Sequence, residues 1–302
     1  MKVTTQLVAW STLFRATNSI TGIFGVFLGS ILALGKIPEE EYAIITFFQA
    51  ISVWSFMCSW NALNDYLDLE IDRLNKPDRP IPSGIISKDS AKKGIFLMML
   101  ISVLSISMAG IIASQSELGL TEWFPSLIIW ILALLLLVNY ESGLSFSMNL
   151  KDKGLPGNIV ISLSIGIVFP FGAAGVFRPL SEAAWSAFFI GFFYNLSREI
   201  IKDIEDMEGD KGRKTYAMKV GPERARILAW ILSLLTIISI LIPFGIEVFP
   251  QFHVIAIIPS FILLLMVKTK LHLGEDFEAQ QLLKKSMQLC LIALLGSSII
   301  GF

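Results

Sequence analysis

Nine apolar segments, each close to 20 residues long, follow one another along the chain. That length matches the ~20 residues that an α-helix needs to cross the hydrocarbon core of a bilayer. Inside a membrane every backbone polar group must be satisfied internally, which favours helices for such segments. The sequence therefore predicts an all-α integral membrane protein with about nine transmembrane helices, in one domain over residues 1–302. The predicted spans cover residues 17–35, 41–66, 92–113, 122–142, 156–177, 182–206, 224–246, 250–268 and 280–301.

The composition excludes an ordinary soluble domain. Hydrophobic residues make up 54% of the 302 residues and charged residues only 16%, whereas soluble domains carry about 25% charged residues. The two cysteines, Cys58 and Cys290, lie in apolar surroundings, so we expect buried thiols and neither a disulfide framework nor a metal site. The first apolar segment is long and lacks a small-residue cleavage site, so we interpret it as a mature span and not as a signal peptide.

The basic residues predict the orientation of the chain in the membrane. Of the 24 Lys and Arg residues, only Lys36 and Arg178 lie in the loops after the first, third, fifth and seventh spans. The others lie at the N-terminus, in the alternate loops, or in helix ends next to those loops. Positively charged loops face the cytoplasm, so we expect a cytoplasmic N-terminus and, after an odd number of spans, a C-terminus outside the cell.

A stripe of polar side chains occupies the cytoplasmic end of the second span, where the chain reads SWNALNDYLDLEIDRLNKPDRPIPSG over residues 59–84. At 100° per residue, the five stripe residues fall within an arc of about 100° on one helix face. They are Asn61, Asn64, Asp65, Asp68 and Asp72. Carboxylates at a membrane are stable when they bind cations or face a wet cavity, although a solvated helix end would also carry them.

A second stripe ends the sixth span, where residues 195–216 read NLSREIIKDIEDMEGDKGRKTY. A shift of 138 positions places a polar residue on all five positions of the first stripe. The matching residues are Glu199, Lys202, Asp203, Asp206 and Asp210. Each stripe runs into a basic loop. This agreement predicts an internal repeat that relates residues 59–84 to residues 197–221, and it argues against two unrelated solvated helix ends.

Two carboxylate stripes beside two basic loops predict a site for Mg²⁺ and a diphosphate. Carboxylates are hard oxygen ligands that join Mg²⁺ to substrate phosphates, and Lys and Arg neutralise the remaining phosphate charge. His253 and His272 are the only histidines, which disfavours zinc, and no GK[ST] phosphate loop is present. In a chain this apolar, the expected substrate at this site is a prenyl diphosphate.

These motifs resemble those of the UbiA superfamily of intramembrane prenyltransferases. The stretches NDYLDLEIDRLNKPDRPIPSG and REIIKDIEDMEGDKGRKTYAMKVG are similar to its two aspartate-rich signatures. The segment LKDKGLPGN at residues 150–158 resembles the short lysine-containing segment of the superfamily. The stretch LFRATN at residues 13–18 resembles the opening motif of the superfamily. The resemblance implies a nine-helix bundle around a central cavity with a cytoplasmic polar cap. It also implies Mg²⁺-assisted loss of diphosphate from a prenyl donor.

The resemblance and the metal argument together assign roles to individual residues. The expected Mg²⁺ ligands are Asn64, Asp68, Asp72, Asp206 and Asp210. Asp65 and Asp203 are expected to support these ligands or to accept a proton. The expected contacts to the diphosphate come from Arg79, Lys151 and Lys214, with Arg73, Lys211, Asn18 and Asn64 as further candidates. Lys202 either reaches the diphosphate or neutralises Asp206 one helical turn away.

Within the superfamily, the paired motifs are most similar to the archaeal branch that makes ether lipids. That similarity implies transfer of a geranylgeranyl group to geranylgeranylglyceryl phosphate, so the partners are a prenyl diphosphate, an amphiphilic acceptor and membrane lipid. Aromatic quinone precursors are the alternative acceptors. A cation transporter would explain the aspartates but not the clustered Lys and Arg, which would repel its cargo. We expect no nucleic acid and no obligate protein partner.

Overall fold

The computed structural model describes residues 2–141, 143–208 and 214–300, and these ranges contain helices and no strand. The first half holds α1 (Lys2–Leu13), α2 (Ala16–Leu34), α3 (Glu40–Leu67), α4 (Leu69–Asn75), α5 (Lys88–Gln115) and α6 (Gly119–Tyr140). The second half holds α7 (Leu155–Gly166), α8 (Val168–Gly175), α9 (Glu182–Glu205), α10 (Tyr216–Val220), α11 (Pro222–Gly245), α12 (Ile258–Leu273) and α13 (Asp276–Ile300). Short 3₁₀ segments cover Leu150–Lys153, Asp206–Glu208 and Gln251–Ile257.

Membrane-length helices dominate the described part of the chain, as the apolar segments predicted. Eight segments are long and apolar enough to cross a bilayer: α2, α3, α5, α6, α7 with α8, α11, α12 with its preceding 3₁₀ turn, and α13. The remaining predicted span, the sixth at residues 182–206, corresponds to α9, which has 24 residues. Its last two turns carry the second aspartate motif, and these charges lower its hydropathy.

The helices differ from the predicted spans at three places. An additional helix, α1, precedes the first predicted span and ends at Leu13. Arg15, directly before α2, has a left-handed φ of 45°. The span predicted at residues 156–177 is divided at Ile167 into α7 and α8. The polar stripe of the first motif is also divided, because α3 ends at Leu67 and α4 begins at Leu69. The angles predicted for the polar stripe assume one continuous helix. They are therefore valid only for the residues before this break.

The long helices close into a ring. In the first half, α2 packs on α3, α3 on α5 and α5 on α6. In the second half, α7 packs on α9, α9 on α11, and α12 on α13. Contacts of α6 with α7 and α8, and of α13 with α2, join the two halves on both sides.

Small residues allow the central helices to approach closely. A Cβ atom on Gly29 of α2 would lie 2.1 Å from the carbonyl oxygen of Phe169, and one on Gly172 of α8 would lie 2.1 Å from that of Val26. Larger side chains would therefore force α2 and α8 apart. Buried hydroxyls hydrogen-bond between other helices, as in the pair Ser52 and Ser102 and in the group Tyr194, Ser260 and Ser286. Such small and polar contacts are typical of helix packing in membranes.

The two cysteines are buried as the sequence predicted, and Lys36 and Arg178 lie at the end of the ring opposite the two motifs. Cys58 and Cys290 are free and buried. The start of α2, the end of α3, the segment before α7 and the end of α9 meet at one end of the ring, which we call the polar end. Lys36 and Arg178 lie at the opposite end, where Arg178 donates to the carbonyl of Ala33.

Candidate active site

The three aspartates of the polar stripe in the first motif are buried at the junction of α3 and α4. Asp65, Asp68 and Asp72 are only 3%, 6% and 3% exposed. Asp68 is the residue between the two helices, with φ −81° and ψ 5°, so its neighbours on either side belong to different helices. Removing a carboxylate from water is costly unless a cation or several hydrogen bonds compensate its charge. The partners of these three groups therefore define the site.

Two arginines compensate Asp65 and Asp72. Arg15, from the turn before α2, donates to Asp65 Oδ1 at 2.9 Å. Arg79, from the loop after α4, donates to the same oxygen at 2.9 Å and to Asp72 Oδ2 at 2.5 Å. Arg79 thus joins a carboxylate on α3 to one on α4 and stabilises the junction between them. Because Asp65 Oδ1 already accepts from two guanidiniums, the structure gives Asp65 a supporting position.

Lys151 compensates Asp68 from a distant part of the sequence. Its ammonium lies 2.9 Å and 2.7 Å from the two Asp68 oxygens and 2.8 Å from Asn64 Oδ1. Lys151 is buried, on the short 3₁₀ segment that precedes α7. The side chains of Asn64 and Asp68 also hydrogen-bond to each other at 3.3 Å. Three oxygen atoms therefore converge on one cation at the predicted ligands Asn64 and Asp68.

Glu141 is a further carboxylate beside Lys151, and the sequence motifs did not include it. It directly follows α6, is fully buried, and places Oε2 3.4 Å from the Lys151 ammonium. Burial raises the pKa of Glu141 above its ordinary value, while the positive charge of Lys151 opposes this shift. The signal in the sequence was a single acidic residue at the end of an apolar segment.

The second motif is stabilised by different partners. Asp203 accepts a hydrogen bond at 3.1 Å from the amide of Asn158, which lies in the first turn of α7. Glu199 forms ion pairs with Arg198 at 3.2 Å and with Lys202 at 4.0 Å, all on α9. Lys202 thus pairs with Glu199, whereas the sequence predicted Asp206 as its partner, and it also borders the cleft described below. Asp206 follows α9 directly, whereas the predicted ligand Asp210 and the predicted contact Lys211 lie outside the described residues.

A cleft of about 70 Å³ lies at the second motif and extends to Lys151. Residues from α6, the segment before α7, α7 and α9 form its walls. They include Tyr140, Lys151, Asn158, Glu199, Lys202, Asp203 and Asp206. Lys151 contacts Asp68 of the first motif and also borders this cleft beside Asp206 of the second. Lys151 therefore links the cleft at the second motif to the carboxylate of Asp68 in the first motif.

Three predicted contacts have exposed side chains. Arg73 pairs with Glu70 on the outer side of α4 and is 54% exposed. Asn18 and Lys214 are also exposed, although Lys214 directly precedes Thr215, which lines the cleft. The structure adds Arg15 and Asn158 to the partners of the carboxylates. Both occur in the opening and lysine-containing stretches of the sequence, but neither was assigned a role there.

The oxygen atoms at the first motif suit a hard cation. Within the described ranges, no three His, Cys, Asp or Glu side chains form a cluster of the kind that holds a metal. However, the amide oxygen of Asn64 and both oxygens of Asp68 hold an ammonium at 2.7–2.9 Å. A cation is thus already bound by oxygen donors, the ligand type that Mg²⁺ prefers. The donor set fits Mg²⁺ once Lys151 moves aside.

The fold and the site together define a polytopic membrane protein in which buried carboxylates and cations surround a cleft at one end of a helical ring. Such a site binds an anionic group with the help of a cation, next to an apolar phase. A sequence model of the UbiA prenyltransferase family matches residues 22–292. The chain belongs to this family, a finding that decides against the cation transporter.

Archaeal proteins named digeranylgeranylglyceryl phosphate synthase are similar in sequence over most of their length. The protein from Thermococcus kodakarensis is 32% identical over 287 residues, which cover 93% of this chain and 94% of that protein. The protein from Methanopyrus kandleri is 32% identical over 296 residues, which cover 96% and 98%. The protein from Pyrococcus horikoshii is 34% identical over 244 residues, which cover 78% and 77%.

Solved structures share the fold. A structure of a digeranylgeranylglyceryl phosphate synthase in membranes has a TM-score of 0.74 at 26% identity and covers 98% of this chain and 99% of that one. A UbiA homolog from Aeropyrum pernix has a TM-score of 0.69 at 18% identity, covering 95% and 98%. One from Archaeoglobus fulgidus, bound to GPP and Mg²⁺, has a TM-score of 0.60 at 16% identity, covering 97% and 99%.

Proposed function

We propose that this protein transfers a geranylgeranyl group from its diphosphate to geranylgeranylglyceryl phosphate, forming the second ether bond of an archaeal membrane lipid. The observation that carries the proposal is the position of Lys151, which contacts Asn64 and Asp68 of the first motif and borders the cleft of the second. A diphosphate in this cleft would meet both motifs at once. The archaeal relatives, aligned over nearly the whole chain, support the choice of substrates.

Mg²⁺ is the proposed cofactor. Its ligands are the predicted set of the two motifs, Asn64, Asp68, Asp72, Asp206 and Asp210. When bound, Mg²⁺ acts as a Lewis acid that withdraws charge from the diphosphate and orients it. The fit rests on the oxygen atoms that converge on Lys151, and the Archaeoglobus fulgidus homolog, which is bound to GPP and Mg²⁺, offers a precedent within the fold.

The side chains of this protein then act on the diphosphate and on the prenyl group. Lys151, together with Arg79, Lys214 and Lys211, neutralises the charge that grows on the diphosphate as the bond from oxygen to the allylic carbon breaks. Charges that are held in place before the reaction reduce the reorganisation it requires. Among the described residues, Arg79 and Lys151 are held in this way by the carboxylates of the first motif. The acceptor hydroxyl attacks the allylic carbon, and its proton passes to the released diphosphate or to an aspartate such as Asp203.

We also propose that the polar end of the ring faces the cytoplasm. In the sequence, all but two of the 24 basic residues belong to the N-terminus, to the alternate loops or to helix ends next to those loops, which is the distribution of cytoplasmic loops. This orientation brings soluble Mg²⁺ and the phosphate groups of both substrates to the site from the cytoplasm. The prenyl chains of donor and acceptor remain in the apolar phase.

The substrate pair is tested by mass spectrometry of the lipid that the purified enzyme makes with Mg²⁺. Geranylgeranyl diphosphate and geranylgeranylglyceryl phosphate should give the digeranylgeranyl ether, and EDTA should abolish its formation. Parallel reactions offer 4-hydroxybenzoate and a naphthoate as acceptors. Prenylation of an aromatic acceptor without the ether product would overturn the proposed acceptor and assign the protein to quinone precursors, while leaving the diphosphate site in place.

A further inference from the structure

Glu141 is a fully buried carboxylate that belongs to neither aspartate motif. Its Oε2 lies 3.4 Å from Lys151, and the indole of Trp60 is a further side-chain partner of its carboxylate. Burial of a carboxylate destabilises a fold unless a cation and hydrogen bonds compensate its charge. The reaction proposed above assigns Glu141 no role, so its position beside Lys151 requires an explanation.

The Lys151 ammonium has more acceptors than it has protons. An ammonium donates three hydrogen bonds, whereas four oxygen atoms lie within 3.4 Å of Lys151 Nζ. The three shorter distances, 2.7–2.9 Å, belong to Asn64 and Asp68. Glu141 holds the fourth and longest contact, so it is a second carboxylate within reach of the same cation.

A divalent cation and the ammonium cannot occupy the same oxygen atoms. Two positive charges at this separation repel each other strongly in a buried site. Binding of Mg²⁺ to Asn64 and Asp68 therefore requires Lys151 to leave them. The side chain is buried, so it also requires another anion to receive the ammonium.

We propose that Glu141 is a positioning residue that holds Lys151 beside the cleft when a divalent cation displaces it from Asn64 and Asp68. The inference rests on the proposed metal site but not on the identity of the acceptor. Without metal, Lys151 neutralises Asp68. With metal, Lys151 pairs with Glu141 and stays at the border of the cleft, where it meets the diphosphate.

Mn²⁺ binding tests this role in the absence of any prenyl substrate. Free Mn²⁺ is measured by electron paramagnetic resonance during titration of the purified enzyme, the Glu141→Gln variant, the Lys151→Met variant and the double variant. Glu141→Gln should weaken Mn²⁺ binding about tenfold, the size of effect expected for a group that supports metal ligands. In the Lys151→Met background, the same substitution should change Mn²⁺ binding less than about twofold, because Glu141 acts through Lys151.

The controls separate this role from a structural one. Glu141→Asp keeps the charge and should restore most of the Mn²⁺ affinity, and Glu70→Gln removes an exposed carboxylate of α4 and should change nothing. An unchanged Mn²⁺ affinity in Glu141→Gln, an equal loss in both backgrounds, or no Mn²⁺ binding by the unmodified enzyme would each overturn the inference. A coupled loss of Mn²⁺ binding without formation of the ether lipid would keep the inference and reject only the proposed acceptor.

Discussion

The two aspartate motifs are stabilised by partners of different charge and different origin. In the first motif, Asp65 and Asp68 pair with three cations. Arg15 comes from the turn before α2, Arg79 from the loop after α4, and Lys151 from the segment before α7. In the second motif, Asp203 accepts a hydrogen bond from the neutral amide of Asn158. Glu199 is balanced by Arg198 and Lys202 of its own helix.

Because of this difference, substitutions in the two motifs should differ in how strongly they affect the stability of the protein. The first motif holds buried ion pairs, and loss of one partner leaves a buried charge without compensation. In the described part of the second motif, Asp203 depends on neutral hydrogen bonds from Asn158 and from the backbone of Tyr216. Glu199 depends on neighbours along one helix. Such contacts contribute less. Substitutions in the first motif should therefore affect both folding and turnover, whereas those in the second should affect mainly turnover.

We propose that the two motifs nevertheless derive from one repeated unit within a single domain. In each half, the helix that carries the motif packs on a helix before it and on the helix after it. In the first half α3 packs on α2 and α5, and in the second half α9 packs on α7 and α11. The contrast in partners would then reflect divergence after duplication, with residues 59–84 and 197–221 as the related regions.

The largest effect should come from removing one carboxylate charge from each motif. Asp68→Asn and Asp206→Asn should each lower kcat by about 100-fold or more, since even groups that only support metal ligands cost 10–100-fold in affinity or activity. The measurement is the steady-state rate of diphosphate release at saturating Mg²⁺. Glu70→Gln serves as the matched control, because Glu70 lies between Asp68 and Asp72 but is 71% exposed. Full activity of Asp206→Asn would show that the second motif holds no metal.

The second-largest effect should be a difference in the free energy of unfolding between variants of the two motifs. Arg79→Met removes the cation shared by Asp65 and Asp72. Because Arg79 is 24% exposed, the expected loss is about 2–3 kcal/mol, below the range for a fully buried pair. Asp203→Asn keeps the shape of the side chain and an acceptor for Asn158, so it should cost about 1 kcal/mol or less. Unfolding in SDS, followed by helical circular dichroism, compares the two variants. Equal losses would contradict the proposed contrast.

The smallest effect should come from Arg73, the basic residue of the first loop that the structure places outside the cluster. Its pair with Glu70 is an exposed i,i+3 contact, so Arg73→Gln should change stability by less than about 0.5 kcal/mol. The KM for the prenyl diphosphate should stay within about twofold of the unmodified value, because surface substitutions of this kind have small effects. A rise in KM as large as that of Arg79→Met would return Arg73 to the diphosphate site.

Hydropathy was sufficient to predict the long helices but not the breaks within them. The apolar segments identify the spans because each must fill the membrane. The division at Ile167 and the junction at Asp68 depend on packing against other helices, which a local pattern does not contain. The helix α1 was missed because it is too short to cross a bilayer.

For the site, the sequence identified the carboxylates but not the residues that pair with them. Asp65, Asp68 and Asp72 follow a helical period, so one helix face is enough to group them. The contacts with Arg15, Lys151 and Asn158 join separate segments and depend on how the ring closes. Glu141 had no motif to mark it, since a single acidic residue at a helix end is common at a membrane surface.

The sequence separations of these contacts also set the order in which the first motif gains its partners during synthesis. Arg15 precedes Asp65 by 50 residues and Arg79 follows it by 14, so both guanidiniums are made before α5. Lys151 follows Asp68 by 83 residues, after α5 and α6. Asp68 therefore lacks this ammonium while two further helices enter the membrane. The end of α3 must then remain in contact with water during insertion, and its burial is a late step in the assembly of the protein.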